Sequence, residues 1–204
     1  MLSFFAEHSK ASLAGRRQSP YFPGMANSFQ PHLGSLILIG MPGAGKSTVG
    51  PILARRAGRL FLDCDKLLED QEGRSLQEIV DSDGHLALRA SEERLLLALS
   101  AKRHVIATGG SAVYSHRAMR HLNTLGRIVW LRLSLDELAG RIDNFSARGL
   151  AKSPGQTLAD LYTERQPLYR RYADAVVDCA GFTPEQVAEN ILRALGDRGL
   201  KTED

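Results

Sequence analysis

The eight residues at positions 40–47 constrain the fold of this chain more than any other segment. They read GMPGAGKS and fit the pattern G-x-x-x-x-G-K-[ST], with an apolar run ending at Ile39 before them and a helical pattern beginning at Lys46. Glycines let backbone N–H groups approach phosphate oxygens closely, and the N-terminus of the following helix favours negative charge. Because strand, turn and helix signals agree, a chance glycine turn is a poor explanation. The segment predicts a site for a nucleoside triphosphate.

The same loop predicts which residues contact the nucleotide and its metal ion. Lys46 would bridge the terminal phosphates, and Ser47 would be a ligand of Mg²⁺. The predicted nucleotide-binding residues of the loop are Gly43, Ala44, Gly45, Lys46, Ser47 and Thr48. The loop alone does not identify the reaction.

Short apolar runs alternate with longer amphipathic stretches from residue 35 onward, which is typical of βαβ units and a mostly parallel sheet. Strands are predicted at 36–39, 60–62, 104–107, 127–131 and 175–177. Helices are predicted at 46–56, 75–81, 86–100, 116–123, 135–142, 158–172 and 184–195. We therefore expect one α/β domain at residues 34–204, with a five-stranded parallel sheet flanked by helices.

Residues 1–33 differ from the rest of the chain. Glu7 is their only acidic residue, three prolines interrupt them, and their apolar residues show no sustained period. We expect a disordered tail, or a start codon placed too early with Met25 as the true start. Arg16, Arg17 and the scattered serines leave an organellar targeting peptide as the alternative.

A second unusual segment lies at residues 144–157. It is rich in Gly, Ser and Pro, has little apolar periodicity, and separates two predicted helices. The composition predicts a mobile loop.

Composition and charge exclude several classes of protein. Of the 204 residues, 43% are apolar and 24% are charged, as in soluble globular proteins, and no apolar run approaches the roughly 18 residues of a membrane span. The net charge of +3 is spread along the chain and requires neither nucleic acid nor a membrane as partner. Cys64 and Cys179 are too few for a disulfide framework or a zinc site. We expect a cytoplasmic monomer that binds small molecules.

Two carboxylates follow the second predicted strand. In extended backbone, Asp63 and Asp65 would point to the same side, at the carboxyl end of a parallel sheet where ligands of such folds bind. One could orient water on the metal while the other accepts a hydrogen bond from a substrate hydroxyl. Alternatively, Asp65 is only the N-cap of the next helix.

Several further motifs occur in a specific order, and with them residues 35–195 resemble the shikimate kinase family of small P-loop kinases. The resemblance rests on the phosphate loop and on the following motifs: FLDCD at 61–65, LRASE at 88–92, TGG at 108–110, Arg141 with Arg148 seven residues later, and ERQPLY at 164–169. It implies a three-layer P-loop NTPase fold, similar to nucleoside monophosphate kinases, in which residues 144–157 form a mobile lid. It also implies transfer of phosphate from ATP, with Mg²⁺, to a hydroxyl of shikimate.

The resemblance implies a role for each matching residue on the acceptor side. The substrate-binding residues would be Asp65, Arg89, Gly109, Gly110 and Arg165. Asp65 would contact the shikimate hydroxyls and help to activate the one that is phosphorylated. The two arginines would hold the carboxylate, for which their planar forks are suited, and the Gly110 N–H would hold a hydroxyl.

On the nucleotide side, the resemblance implies that Arg141 lies against the adenine and that Arg148 reaches from the lid to the transferred phosphoryl group. Asp63 would support Mg²⁺ through water, beside the direct ligand Ser47. Lys46, Asp65 and Arg148 would be the catalytic residues.

The chain departs from the family pattern at four positions: Ser111 for a third glycine, His85 for an acid, Leu88 for an aromatic residue and Gly149 for a proline. These changes touch the acceptor pocket and lid, so a related kinase for another hydroxy acid such as gluconate is an alternative. A nucleotide-binding module without turnover is a further alternative. In a less specific interpretation, Arg89 pairs with Glu92 or Glu93 on a helix face, and Arg148 and Arg165 are solvated cations.

Overall fold

A computed structural model of the protein describes residues 34–141, 151–153 and 155–196. Five parallel strands form one sheet in the order β2-β3-β1-β4-β5. The strands are Ser35–Ile39 (β1), Leu60–Asp63 (β2), His104–Ala107 (β3), Gly126–Arg132 (β4) and Ala175–Asp178 (β5). Each begins and ends within one residue of the bounds that the apolar runs predict. The predicted α/β fold class is confirmed.

Eight α-helices occur in the described part of the chain. They are Lys46–Arg56 (α1), Cys64–Glu72 (α2), Leu76–Asp83 (α3), His85–Ala98 (α4), His116–Leu125 (α5), Leu135–Arg141 (α6), Leu158–Tyr172 (α7) and Pro184–Gly196 (α8). A short 3₁₀ helix spans Ala112–Tyr114. Seven of the α-helices match the predicted ones. Helix α2 was not predicted, because only Cys64 and Leu68 of its nine residues are buried.

Helices cover both faces of the sheet, which explains why its central strand is apolar throughout. Every residue of β1 is buried, as expected for a parallel strand enclosed on both faces. Helix α1 packs against α8 and contacts β3, while α5 and α7 contact β4. Among the helices of the described ranges, none is long and apolar enough to cross a membrane.

The strand order places several loops together at one edge of the sheet. The chain passes from β1 to β2 at the far edge, returns to β3 between them, and then crosses to β4 on the other side of β1. Ala107 of β3 pairs with Leu38 of β1 on one side and with Asp63 of β2 on the other. The loops after these three strands therefore start at one level, in the crevice where folds of this kind bind ligands.

Candidate active site

A cavity of about 460 Å³ opens at this edge of the sheet. Its walls include the phosphate loop after β1, the start of α2 after β2, the glycine turn after β3, and side chains from α4, α6 and α7. All of the residues predicted to bind substrate line it, except Arg89, which lines an adjoining cavity of about 250 Å³ behind Glu92 and Ser111. The structure thus brings together residues that are far apart in sequence.

The phosphate loop leaves the N-terminus of α1 open toward the cavity. Gly45 precedes the helix at φ 93°, a left-handed conformation that favours glycine, and no side chain caps the helix. The first turn of α1 contains no acidic residue. Its N–H groups and the helix dipole therefore favour an anion at this point.

Lys46 is buried in the loop with its ammonium group held by backbone oxygens. Nζ donates hydrogen bonds to the carbonyl oxygens of Gly40 at 2.8 Å and Met41 at 3.0 Å. Burial lowers the pKa of Lys46, while the nearby carboxylate of Asp65 opposes that effect. Ser47 and Thr48 lie in the cavity wall and are exposed. Of the predicted loop residues, Gly43, Gly45, Lys46, Ser47 and Thr48 line the cavity and Ala44 does not, and phosphate binding by them stays a prediction.

The two carboxylates after β2 are arranged differently from the extended pair that the sequence suggested. Helix α2 begins directly after the strand at Cys64, and Asp63 is its N-cap: Oδ1 accepts from the N–H groups of Asp65 at 3.1 Å and Lys66 at 3.5 Å. The prediction of two carboxylates in extended backbone is therefore wrong, and so is the alternative that Asp65 is the cap. Asp65 lies in the first turn of α2 and faces the cavity.

Asp65 is largely enclosed, and its surroundings change its acidity. Burial raises the pKa of its carboxyl, and the neighbouring charges of Asp63 and Glu69 act in the same direction, while Lys46 lowers it. A carboxylate with a raised pKa is a better proton acceptor than a solvated one. The geometry therefore allows Asp65 to take a proton from a hydroxyl group in the cavity.

Arg89 and Arg165 converge on one point from different helices. Nη2 of Arg89 donates to the carbonyl oxygen of Ala151 at 3.2 Å, and Nη2 of Arg165 donates to the same oxygen at 2.9 Å. In the described ranges Arg89 forms no ion pair with Glu92 or Glu93, and Glu93 is instead 3.8 Å from Arg117. Arg165 is 1% exposed. The less specific interpretations of these two arginines, a surface ion pair and a solvated cation, are wrong.

The turn after β3 packs so closely that it requires small residues. A Cβ atom on Gly109 would clash with Oε1 of Glu92 and lie 2.8 Å from Oδ1 of Asp65. The next residue, Gly110, is held by the buried Tyr169, whose hydroxyl donates to its carbonyl oxygen at 2.7 Å. Tyr169 is stacked on Trp130 at a centroid distance of 5.8 Å. The core thereby fixes the turn beside the cavity.

Glu92 is a residue of the cavity that was not predicted as a site residue. It is 6% exposed, Oε2 accepts a hydrogen bond from the Ser111 hydroxyl, and Oε1 is buried without a partner in the described part of the chain. Burial raises the pKa of Glu92 to about 7. A signal was available, because Glu92 lies four residues after Leu88 and four before Leu96, on the apolar face of α4.

The four departures from the family pattern differ in their placement. Leu88 is buried in the cavity wall, Ser111 is buried against Glu92, and His85 is the first residue of α4. Gly149 lies outside the described residues. Three of the four departures are thus located, and two of them shape the cavity directly.

The predicted lid is described only in part. Arg141, the last residue of α6, is exposed and lines the cavity. Arg148 lies outside the described residues, as do all of 142–150. The described end of the segment leads into α7, which Thr157 and Asp160 cap reciprocally. The lid assignment stays a prediction.

The oxygen donors of the cavity suit a magnesium ion that arrives with a nucleotide. No group of three or more His, Cys, Asp or Glu side chains in the described ranges could hold a metal ion. The Ser47 hydroxyl and the Asp65 carboxylate, which line the cavity, are nevertheless hard oxygen donors, and the carboxylate of Asp63 lies two residues before Asp65 at the N-cap of α2. Mg²⁺ commonly uses one or two such protein ligands and completes its shell with phosphates and water.

Comparisons with known proteins agree with this geometry. The family model described as shikimate kinase matches residues 42–196. A shikimate kinase of Pseudomonas aeruginosa is 39% identical over 164 residues, which cover 79% of this chain and 95% of that protein. The structure of a shikimate kinase from Acinetobacter baumannii in complex with shikimate superposes with a TM-score of 0.77 at 32% identity, covering 83% of this chain and 97% of that one. A shikimate kinase from Aquifex aeolicus has a TM-score of 0.71 at 31% identity, covering 82% of this chain and 99% of the other.

Proposed function

The chain belongs to the shikimate kinase family, and we propose that it transfers the γ-phosphoryl group of ATP to a hydroxyl group of shikimate, forming shikimate 3-phosphate. One observation carries the choice of acceptor. Two guanidinium groups, from Arg89 and Arg165, converge on a single oxygen atom at 3.2 and 2.9 Å beside the phosphate loop. In the bound complex a substrate carboxylate takes the place of that carbonyl oxygen.

The carboxylate site selects a compact hydroxy acid. Arginine offers parallel N–H donors that match the two oxygens of a carboxylate. Burial of Arg165 strengthens this attraction, because less water screens the charges. Leu88 provides an apolar surface in the same cavity, against which a carbon ring packs.

The acceptor hydroxyl is bound and activated in the same cavity, which Asp65 and Gly110 line together with Arg165. The Gly110 N–H and the Asp65 carboxylate bind hydroxyl groups, and Asp65 takes the proton as the hydroxyl oxygen attacks the γ-phosphorus. The bond between that phosphorus and the bridging oxygen breaks, and ADP leaves. Such a reaction requires positioning and charge stabilisation more than covalent participation of the protein.

The nucleotide is held by the phosphate loop and its neighbours. Backbone N–H groups from Gly43 to Thr48 bind the phosphates, and the Lys46 ammonium moves from its own loop carbonyls to the terminal phosphates. Ser47 and, through water, Asp63 would hold Mg²⁺, which would neutralise phosphate charge. Arg141 lies against the adenine, and Arg148 of the lid at 144–157 contacts the transferred group.

We further propose that the enzyme acts as a cytoplasmic monomer whose partners are ATP and the small acid, without nucleic acid or membrane. Residues 1–33 are a tail outside the P-loop kinase domain at 34–204. The family match begins only at residue 42, which supports this division of the chain.

A panel assay tests the proposed function. Purified protein with Mg²⁺ and ATP is incubated with shikimate, gluconate or no acid, while ADP release and the mass of the phosphorylated product are measured. We expect shikimate alone to raise ADP release above background, and the variant Lys46→Met to abolish it. Turnover with gluconate instead of shikimate would favour the related-kinase alternative. ATP binding without turnover on any acid would favour a nucleotide-binding module.

A further inference from the structure

Tyr114 contacts both of the arginines that converge on Ala151, although it belongs to none of the motifs that define the site. It is the last residue of the 3₁₀ helix that follows the glycine turn, and its side chain is half-buried. Cζ of Arg89 lies 3.7 Å from the centroid of the Tyr114 ring. Nε of Arg165 donates a hydrogen bond to the Tyr114 hydroxyl at 3.1 Å, and its Cζ lies 5.1 Å from the same ring centroid.

Both arginines depend on uncharged partners for their positions. None of the ion pairs found in the described ranges involves Arg89 or Arg165. Nε of Arg89 is buried without a hydrogen-bond partner there, and its guanidinium is held by the tyrosine ring on one side and by the Ala151 carbonyl at Nη2. Removing the ring would therefore leave Arg89 with one weak polar contact.

A neutral partner preserves the positive charge that a carboxylate needs. An aspartate or glutamate at this position would hold the arginines, but it would neutralise them and repel an incoming acid. The π face and hydroxyl of tyrosine orient a guanidinium without adding a negative charge to that of Glu92, the carboxylate that already acts on Arg165 from nearby. Resting on the proposed function, we propose that Tyr114 is a positioning residue that holds Arg89 and Arg165 in the geometry that recognises the acceptor carboxylate.

Two variants separate the contributions of the hydroxyl and the ring. Tyr114→Phe keeps the ring over Arg89 and removes only the hydrogen bond from Arg165, while Tyr114→Leu removes both. We expect the KM for shikimate to rise roughly 10-fold in Tyr114→Phe, the scale of one hydrogen bond to a charged group. In Tyr114→Leu we expect a rise of roughly 50-fold, because the cation–π contact is lost as well. The KM for ATP should stay within about 2-fold of the wild-type value.

The matched control is Tyr172→Phe. Tyr172 lies on α7 with Arg165, but its hydroxyl contacts the exposed His116 at 3.2 Å, away from the cavity. This variant should leave both KM values unchanged. Thermal melting of all three variants shows whether any effect follows from loss of folding instead.

Two further readouts distinguish positioning from a general structural role. Binding of the methyl ester of shikimate, which lacks the carboxylate charge, should change little in Tyr114→Leu. In an Arg89→Ala background, Tyr114→Leu should raise the KM for shikimate by less than it does in the wild-type background. Only the contact with Arg165 is then left to lose, and the effects of residues that act through one another are not additive.

Several outcomes would overturn the proposal. These are equal KM values for shikimate in wild type and Tyr114→Leu, an equal loss of affinity for shikimate and its methyl ester, or full additivity with Arg89→Ala. An inactive wild-type enzyme would instead overturn the proposed function. If the wild type phosphorylates another hydroxy acid, that acid and its methyl ester are compared in wild type and Tyr114→Leu. This tests the role of Tyr114 separately from the identity of the acceptor.

Discussion

Asp65 and Glu92 are two acids of one cavity whose surroundings suit them to different tasks. Burial raises the pKa of both. The charge of Lys46 is the strongest influence that lowers the pKa of Asp65, and a hydrogen bond from Ser111 is the strongest one that lowers the pKa of Glu92. Asp65 faces the cavity from the first turn of α2, and Glu92 is enclosed behind Gly109. Asp65 is therefore suited to exchange a proton with a ligand, and Glu92 to shape the wall.

The substitution Asp65→Asn tests the first of these assignments. The amide keeps the shape of the side chain but removes the negative acceptor for the hydroxyl proton, so we expect turnover to fall roughly 10²–10⁴-fold. ATP affinity, measured by calorimetry, should change far less. The matched control is Asp70→Asn on the exposed part of the same helix, which should behave as wild type. Near-normal turnover of Asp65→Asn would contradict the role of Asp65.

Glu92 makes stability depend on pH in a direction that can be measured. Its pKa is about 7 in the folded protein, against 4.5 for an unperturbed glutamate. Between these values the folded state binds more protons than the unfolded state, so stability falls as pH rises through that window. The full difference corresponds to about 3 kcal/mol. Below about pH 4.5 Glu92 is protonated in both the folded and the unfolded state, and stability no longer depends on pH through this group.

The variant Glu92→Gln should remove this dependence. Denaturant unfolding at pH 5, 6, 7 and 8 should show Glu92→Gln gaining stability relative to wild type as pH rises, by up to about 3 kcal/mol. Glu93→Gln, at the half-exposed neighbouring position, serves as the control for replacing a glutamate with glutamine on the same helix. If the unfolding free energies of wild type and Glu92→Gln change with pH in parallel, Glu92 is not buried as the structure has it.

At the scale of elements, the parallel strands were the most predictable feature. A parallel strand buried on both faces consists of apolar residues throughout, and such runs are visible in sequence. Helix α2 was missed because it has no sustained apolar face and starts without a loop after β2. Its signals were local instead: Asp63 at the N-cap and Gly73, at φ 67°, at the C-cap.

The residues of the site were predictable where they belong to sequence motifs, and less so elsewhere. Residues in sequence motifs, such as Lys46 and Arg165, line the cavity. Glu92 was missed although its place on the apolar face of α4 was a signal within one element. Tyr114 was missed because its importance arises from a contact between elements: its hydroxyl accepts a hydrogen bond from Arg165, 51 positions away in the chain. No spacing rule within one element could have indicated that contact.

Asp63 illustrates how an element and a site share one residue. As N-cap it stabilises α2, and the proposed function also assigns it a water-mediated contact to Mg²⁺. Asp63→Asn separates the two, because asparagine caps helices as well as aspartate does but carries no charge. We expect its unfolding free energy to stay within a few tenths of a kcal/mol of wild type, while the Mg²⁺ concentration needed for half-maximal turnover rises.

The corresponding cap controls are Asp63→Ala and Ser75→Ala. Each removes a capping side chain, from α2 and α3 respectively, and should cost about 1 kcal/mol in denaturant unfolding. Only Asp63→Ala should also change the Mg²⁺ requirement. If Asp63→Asn has the Mg²⁺ requirement of wild type, Asp63 is a cap and nothing more.

At the scale of the whole molecule, the topology explains why distant motifs act together. Crossing from β1 to β2 and back to β3 brings three loops to one edge of the sheet. The phosphate loop and the residues proposed to bind the acceptor are therefore neighbours in one cavity. The departures from the family pattern at Leu88 and Ser111 lie in the wall of the cavity, and the strand order does not depend on them.

The proposed division of the chain into a tail and a domain leads to the last prediction. All described elements and every described site residue lie within residues 34–196, and residues 1–33 lack the periodic apolar face that packing on a domain requires. A protein that starts with Met followed by Gly34 should therefore melt within roughly 2–4 °C of the full chain, which for a domain of this size corresponds to about 1 kcal/mol. Its turnover should also be unchanged.

A second truncation, which starts at Met25, is the matched comparison. If the true start lies there, both truncated proteins and the full chain share one melting temperature and one set of kinetic constants. A large drop in melting temperature for the Gly34 protein alone would place a structural contribution in residues 25–33. The same drop for both truncations would place the structural contribution in residues 1–24. These residues show no apolar period that could account for such a contribution.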